Sequence, residues 1–392
     1  MTELTLDADV IVATAAEAAG TDDFGAATWR EGLERLVDSL KRDGQLNELG
    51  AQIAAGELVG YLVTRTGIAR YRAEHPEIAA RDVVPPIVIV GQARTGTTML
   101  HDLLAQDRAT RVPLTWEVDK PVPPPETATY DTDPRIDEVE ATLAGTDLLI
   151  PGFRAMHPLG PRLAQECVRI TAAEFASLIF PTQYRVPTYA MWLQYQADLA
   201  PAYRWHRMYL QHLQARHPGE RWLLKSPAHI WHMQALLGEY PDALLVQTHR
   251  DPLRIIASVS SLQATLRRLA ADAPDIADIA HEWAPYIIEG LNRSMGARLD
   301  GTVAPDRVVD VQFREFVADP FAVVGRVYDR FGLAFDAETE GRMRSFYADA
   351  PHEGPGAHHY TFADTGLDEA EWRERSRPYQ EFFGVESEPL DG

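Results

Sequence analysis

The sequence predicts an α/β chain in which a central parallel sheet flanked by helices follows an N-terminal helical cap. Three observations carry that expectation. The β-branched run Ile87-Val88-Ile89-Val90 stops at Gly91 and gives way within a few residues to Leu100, Leu103 and Leu104 at helical spacing, which reads as buried strand, tight loop and helix. Two later segments, RWLLKSPAHIWHMQALL and ALLVQTHRDPLRIIASVSSL, repeat one design: a short apolar strand, a basic residue at its end (Lys225 or Arg250), a capping residue (Ser226 or Asp251) and a proline at the first helical position. Before residue 85 the patterning is helical throughout.

Taken in order, residues 1–84 form the cap. Trp29, Leu33, Leu36 and Leu40 mark one face of a first helix, and a second helix is expected from about Asn47 to Ala73. Neither carries chemistry, so the cap packs on the sheet or walls a substrate pocket. Residues 85–392 form the α/β domain. After the loop helix, RVPLTWEVDKPVPPPE reads as a short extended stretch ending at Trp116-Glu117, then a rigid surface connection through Pro121, Pro123, Pro124 and Pro125. A helical insertion is expected at about 126–216. Its acidic start, Thr132 to Asp147, reads as a solvated helix, and residues 118–147 are a candidate lid. The aromatic stretch that follows contains Phe175, Tyr184 and Trp192 and suits either a helical core or the lining of an apolar pocket. A fourth strand, Arg307 to Val311, leads to Phe313 and a helix over Pro320–Phe331. The tail runs from His358-His359-Tyr360 into an amphipathic helix.

Composition narrows the function. Among 392 residues, 58 are acidic and 37 basic, a net charge of −21, so a nucleic-acid partner is disfavoured and any anion site must be a local basic island. The single cysteine, Cys167, excludes an intrachain disulfide. No signal peptide or membrane span is legible, which makes a cytoplasmic location the expectation. The 13 histidines form no metal motif, so no metal is expected. The sequence leaves a homo-oligomer open.

The loop Gly91-Gln-Ala-Arg-Thr-Gly-Thr-Thr98 would set backbone N–H groups and two hydroxyls at a helix N-terminus, where unpaired donors and the helix dipole favour a phosphate-like anion. The architecture is therefore P-loop-NTPase-like, with one departure. In G-x-x-x-x-G-K-[ST] the lysine follows the second glycine, and here Thr97 stands there instead. The cations on offer are Arg94, Lys225 and Arg250, each at or beyond the C-terminal end of a strand, where ligands bind in an open parallel sheet.

With these pieces in order, residues 85 to about 385 resemble the sulfotransferases that use 3′-phosphoadenylyl sulfate (PAPS), especially the bacterial branch with an R-T-G-T-T loop. The resemblance rests on GQARTGTTML, WE before a proline-rich segment, ECVRIT, WLLKSPAH, YPDALLVQTHRDPLRIIAS and FREFVADP. It implies a 5′-phosphosulfate loop at Arg94, Thr95, Gly96, Thr97 and Thr98, a 3′-phosphate site at Arg250 and Ser258, and Phe313 beside the adenine. Lys225 is the expected cation at the bridging oxygen, with Arg94 assisting. For the base that takes the acceptor proton, Glu117 ranks first, His229 second and Glu166 third. Glu166, Phe175, Tyr184 and Trp192 are the expected acceptor-binding residues. The implied reaction moves a sulfuryl group from PAPS to a hydroxyl of a small apolar acceptor of the sterol, lipid or phenol class, leaving 3′,5′-ADP (PAP). Two alternatives stand beside it: a small-molecule P-loop kinase, which magnesium dependence would reveal, and a non-catalytic PAP-binding protein.

Overall fold

The computed structural model describes residues 5–149, 159–349 and 360–390. Its centre is a five-stranded, all-parallel sheet: β1 (Ile87–Val90), β2 (Thr110–Arg111), β3 (Arg221–Ser226), β4 (Leu244–His249) and β5 (Val308–Gln312), in the order β2-β3-β1-β4-β5. Parallel strands need crossovers, and the helices of those crossovers cover both faces. That is why β1 reads as an unbroken apolar run: all four of its residues are buried. Ile87 and Ile89 face the loop helix Thr97–Leu104 and the helix Pro320–Phe331. Val88 and Val90 face a larger apolar cluster that includes the N-terminal helices.

β1 lies between β3 and β4, so its neighbours depart to opposite sides. The register sets Val90 level with Ser226 on one flank and with Gln247 on the other. The three chain segments leaving these strands therefore emerge at one edge of the sheet, the place where open α/β sheets bind ligands.

The N-terminal segment forms the helices Ala8–Ala19, Arg30–Asp43 and Glu48–Glu74. Asp7 caps the first through Asp9 and Val10 N–H, and Asn47 caps the third through Gly50 N–H at 2.7 Å, each worth about 1 kcal/mol. Trp29, Leu33, Leu36 and Leu40 are buried as their spacing predicts. These helices pack mainly on the segment 167–213. Arg65 pairs with Glu174 at 2.6 Å inside that interface, and the Gly32 Cα lies so close to Phe175 that an added Cβ would meet its carbonyl oxygen at 2.4 Å.

Four local differences from expectation have physical causes. Residues Thr115–Asp119 are a short helix, not the end of an extended stretch, because Glu117 turns back to accept from Leu114 N–H and the helix buries Trp116. The acidic helix spans Arg135–Leu149 and buries Ile136 and Val139 against Trp116 rather than lying free on the surface. β2 is only two residues long, too short to leave a pattern. The segment after β3 is a 3₁₀ turn, Pro227–Trp231, broken at His232 before a helix over Met233–Glu239. Trp231 fixes that break: its Nε1–H bonds the Tyr286 carbonyl at 3.1 Å, and its ring lies where any Cβ on Gly290 would stand, 2.5 Å away. The motif residues His358 and His359 lie outside the described residues.

Gly91 ends β1 with φ of 152°, and a Cβ there would come within 2.1 Å of the Thr248 hydroxyl and 2.9 Å of its carbonyl oxygen. Gly91→Ala should therefore cost about 2–4 kcal/mol of stability, measured by urea unfolding. A loss under about 0.5 kcal/mol would show that the loop can move away from β4 freely.

Candidate active site

The loop after β1 is held from inside. The Thr95 hydroxyl donates to the Gln92 carbonyl at 2.6 Å and lies 2.6 Å from the Thr248 hydroxyl, while Gln92 Nε2–H bonds the Ile287 carbonyl at 3.1 Å. Arg94 and Gly96 both adopt left-handed backbone, φ 69° and 86°. Gly96 is the N-cap of the helix Thr97–Leu104 and offers no side-chain acceptor, so no side chain caps the N–H groups of its first turn. Outside the loop, Arg94 Nε–H donates to the Ser258 hydroxyl at 3.0 Å. The sequence placed Arg94, Thr95, Gly96, Thr97 and Thr98 in one cradle; the fold gives Thr95 to the loop's own framework and leaves Thr97 and Thr98 at the helix start.

Lys225, the fifth residue of β3, is buried. Its ammonium forms an ion pair with Glu166 and reaches Thr98 Oγ1 at 3.5 Å. Two carboxylates thus share its surroundings: Glu166 by contact, and Asp102, whose pKa burial raises to about 6 against the opposing pull of Lys225. Behind them His101 is neutral, its pKa lowered to about 3 by burial and then by the Lys225 charge.

At the end of β4, Arg250 Nη1–H donates to the Arg94 carbonyl at 2.9 Å, tying that strand to the loop. Its guanidinium lies 3.9 Å from the centre of the Phe313 ring, a cation–π contact, and the same ring faces the Gly96 Cα. Nε and Nη2 of Arg250 bond the Glu388 carboxylate, each at 3.0 Å. The tail is held there by Asp251, which also caps its own helix through Leu253 N–H, accepts from Glu388 N–H at 2.7 Å and pairs with Arg373.

Beside the strand ends is a narrow cleft whose internal space is about 20 Å³, lined by Cys167, Leu193, Tyr203, Ser226, His229 and His232 among others. Cys167 and Ser226 directly follow Glu166 and Lys225 in sequence. His229 Nδ1 bonds the Tyr203 hydroxyl at 2.8 Å, and its Nε2 is buried without a partner. Burial, with smaller contributions from His206 and His232, holds the His229 pKa well below the ordinary imidazole range. The ring is neutral at pH 7.

Glu117 is placed elsewhere. Fully buried, it forms an ion pair with Arg111, accepts from the Tyr130 hydroxyl at 2.6 Å and caps its own helix at Leu114. Phe175, Tyr184 and Trp192 do not line the cleft either. Phe175 packs on Trp29 and Phe180, Tyr184 donates to Glu57 at 2.7 Å, and Trp192 Nε1–H bonds Glu31 at 3.2 Å, so all three join the insertion to the N-terminal helices. The residues that sequence reasoning missed are Tyr203, Cys167, Arg373 and Glu388. The first two sit in helical patterns that look like core, and Glu388 meets Arg250 across 138 residues with no motif to announce it.

A profile of the sulfotransferase family matches residues 85–337. The chain belongs to the sulfotransferase family. Two crystal structures of sulfotransferases resemble it over nearly the whole length: STF9 from Mycobacterium avium, 29% identical with a TM-score of 0.88 and 98% of each chain covered, and STF1 from Mycobacterium tuberculosis H37Rv, 30% identical with a TM-score of 0.84, covering 95% of this chain and 99% of that one. The omega-hydroxy-beta-dihydromenaquinone-9 sulfotransferase Stf3 of Mycobacterium bovis is 25% identical over 301 residues, 74% of each protein. In this sulfotransferase, among the described residues, no three side chains of histidine, cysteine, aspartate or glutamate gather as a metal site, and no helix is long and apolar enough to cross a membrane.

The surroundings of Glu117 predict the effect of removing its charge. Glu117→Gln leaves Arg111 buried without its counter-ion and should cost about 3 kcal/mol of unfolding free energy, while turnover per folded molecule stays within a few-fold of the parent. A hundred-fold loss of turnover with stability unchanged would make Glu117 a catalytic group.

Proposed function

We propose that this sulfotransferase moves a sulfuryl group from PAPS to the hydroxyl of an apolar, lipid-like acceptor, with His229 taking the acceptor proton. The observation that carries the reading is the convergence of an uncapped helix N-terminus, Lys225 and Arg250 at one sheet edge, next to a cleft holding a neutral histidine with one unpartnered nitrogen.

The residues present fit the nucleotide. Thr97, Thr98 and the first-turn N–H groups would hold the 5′-phosphosulfate with Arg94, whose planar fork suits several oxygens at once. Arg250 and Ser258 would meet the 3′-phosphate, and Phe313 would flank the base. When bound, PAPS supplies an electrophilic sulfur and a phosphate leaving group. Lys225 has three donors, of which Glu166 and Thr98 take two, so one N–H remains to stabilise charge developing on a phosphate oxygen.

For His229 to accept a proton at Nε2, its Nδ1 must carry the hydrogen and donate to the Tyr203 oxygen. The Tyr203 hydroxyl, which can accept as well as donate, accommodates that tautomer. Glu117 is fully engaged by Arg111, Tyr130 and Leu114 N–H, and Glu166 by Lys225, which leaves His229 as the base that needs no bond broken first. The cleft is lined largely by apolar side chains, and the Stf3 relative is named for an ω-hydroxylated menaquinone. Both favour an alcohol carried on a lipid-like body.

Calorimetric titration separates this reading from a small-molecule kinase. The protein should bind 3′,5′-ADP and not ATP with magnesium; the reverse would overturn the proposal. With an acceptor in hand, His229→Ala should lower kcat by about 10²–10⁴ and leave 3′,5′-ADP affinity within two-fold. Since burial lowers the pKa of His229, its base form persists as pH falls through 6.5, and the acid limb of kcat/KM should lie below 6.5. A limb at 6.5 or above would assign proton transfer to another group.

A further inference from the structure

Arg250 is less available to an anion than its position suggests. Three of its five N–H donors are used, Nε and Nη2 on Glu388 and Nη1 on the Arg94 carbonyl, and the Glu388 carboxylate neutralises its charge. One turn farther along the helix Pro252–Arg267 stands Arg254, in the opposite condition. Among the described residues it forms no ion pair. Its guanidinium lies over the Tyr360 ring at 5.3 Å, and its Nε is buried with no hydrogen-bond partner.

Arg254 and Ser258 are four residues apart and share a face, and the Ser258 hydroxyl accepts from Arg94 of the loop at 3.0 Å. Helical side chains lean toward the N-terminus, so the Arg254 stem reaches back over the turn that begins with Arg250. A buried, unpaired N–H on a cationic side chain costs stability until an acceptor meets it.

We infer that Arg254 supplies the uncompensated positive charge that receives the 3′-phosphate, with Ser258 and the two remaining N–H groups of Arg250 completing the site. The inference rests on the nucleotide reading above. Arg250 then acts as a brace, held by Glu388 and holding the loop through Arg94.

The test is calorimetry of Arg254→Gln with 3′,5′-ADP and with 5′-AMP, which lacks the 3′-phosphate. The variant should bind 3′,5′-ADP at least ten-fold more weakly than the parent and 5′-AMP within two-fold. Unchanged affinity for 3′,5′-ADP, or equal losses for both nucleotides, overturns the inference. If the parent itself fails to prefer 3′,5′-ADP over 5′-AMP, the nucleotide reading falls and takes the inference with it; a parent that does prefer it while Arg254→Gln matches the parent sinks the inference alone. Should Arg254→Gln not fold, Arg254→Lys carries the same comparison. A point charge replacing the fork should cost three- to ten-fold toward 3′,5′-ADP and nothing toward 5′-AMP, and any other pattern rejects the assignment.

Discussion

Everything in the site follows from β1 pairing in parallel with β3 on one side and β4 on the other. Parallel pairing sends all three strands out at the same edge, and the register brings Val90, Ser226 and Gln247 to one level. From that level the chain has little freedom. Gly91 turns against Thr248, Lys225 stands one residue below the rim, and Arg250 reaches across to the Arg94 carbonyl. A cation-rich groove is thereby built in a strongly acidic protein from residues that are 131 and 25 positions apart in the chain. The hydrogen-bonding ladder, more than any single ion pair, holds the charges together against their mutual repulsion.

The charges are then tempered by carboxylates. Lys225 has Glu166, Arg250 has Glu388, and Arg373 has Asp251. Each pairing lowers the cost of burying a cation while no anion is bound, at the expense of competing with that anion when it arrives. Among the described residues, none of the N-terminal helices lines the cleft. Their role is to bury the outer side of the insertion, and Phe175, Tyr184 and Trp192 serve that packing.

The strands, the loop and the capped helices were legible because short-range physics writes them: β-branched runs, glycine at a turn, proline at a first helical position. Lys225 and Arg250 were legible for the same reason, each standing at the end of such a run. Glu117 has the type and place of a base, while the partner that engages it, Arg111, lies only six residues upstream and carries no motif of its own. Aromatic density could not separate Phe175 from Tyr203, since a helix face turned to another helix and one turned to a cleft have the same composition. Glu388 was out of reach, because its meeting with Arg250 depends on where the tail helix Glu369–Phe383 directs the chain.

The cleft adjoins the cation groove at two peptide steps, Glu166 to Cys167 and Lys225 to Ser226. The rest of its wall comes largely from the helices between Cys167 and Tyr203 and from the turn bearing His229. On the proposed reading, the helical wall can be resculpted for a different acceptor while Lys225, Arg250 and the loop after β1, held by the sheet, keep their places.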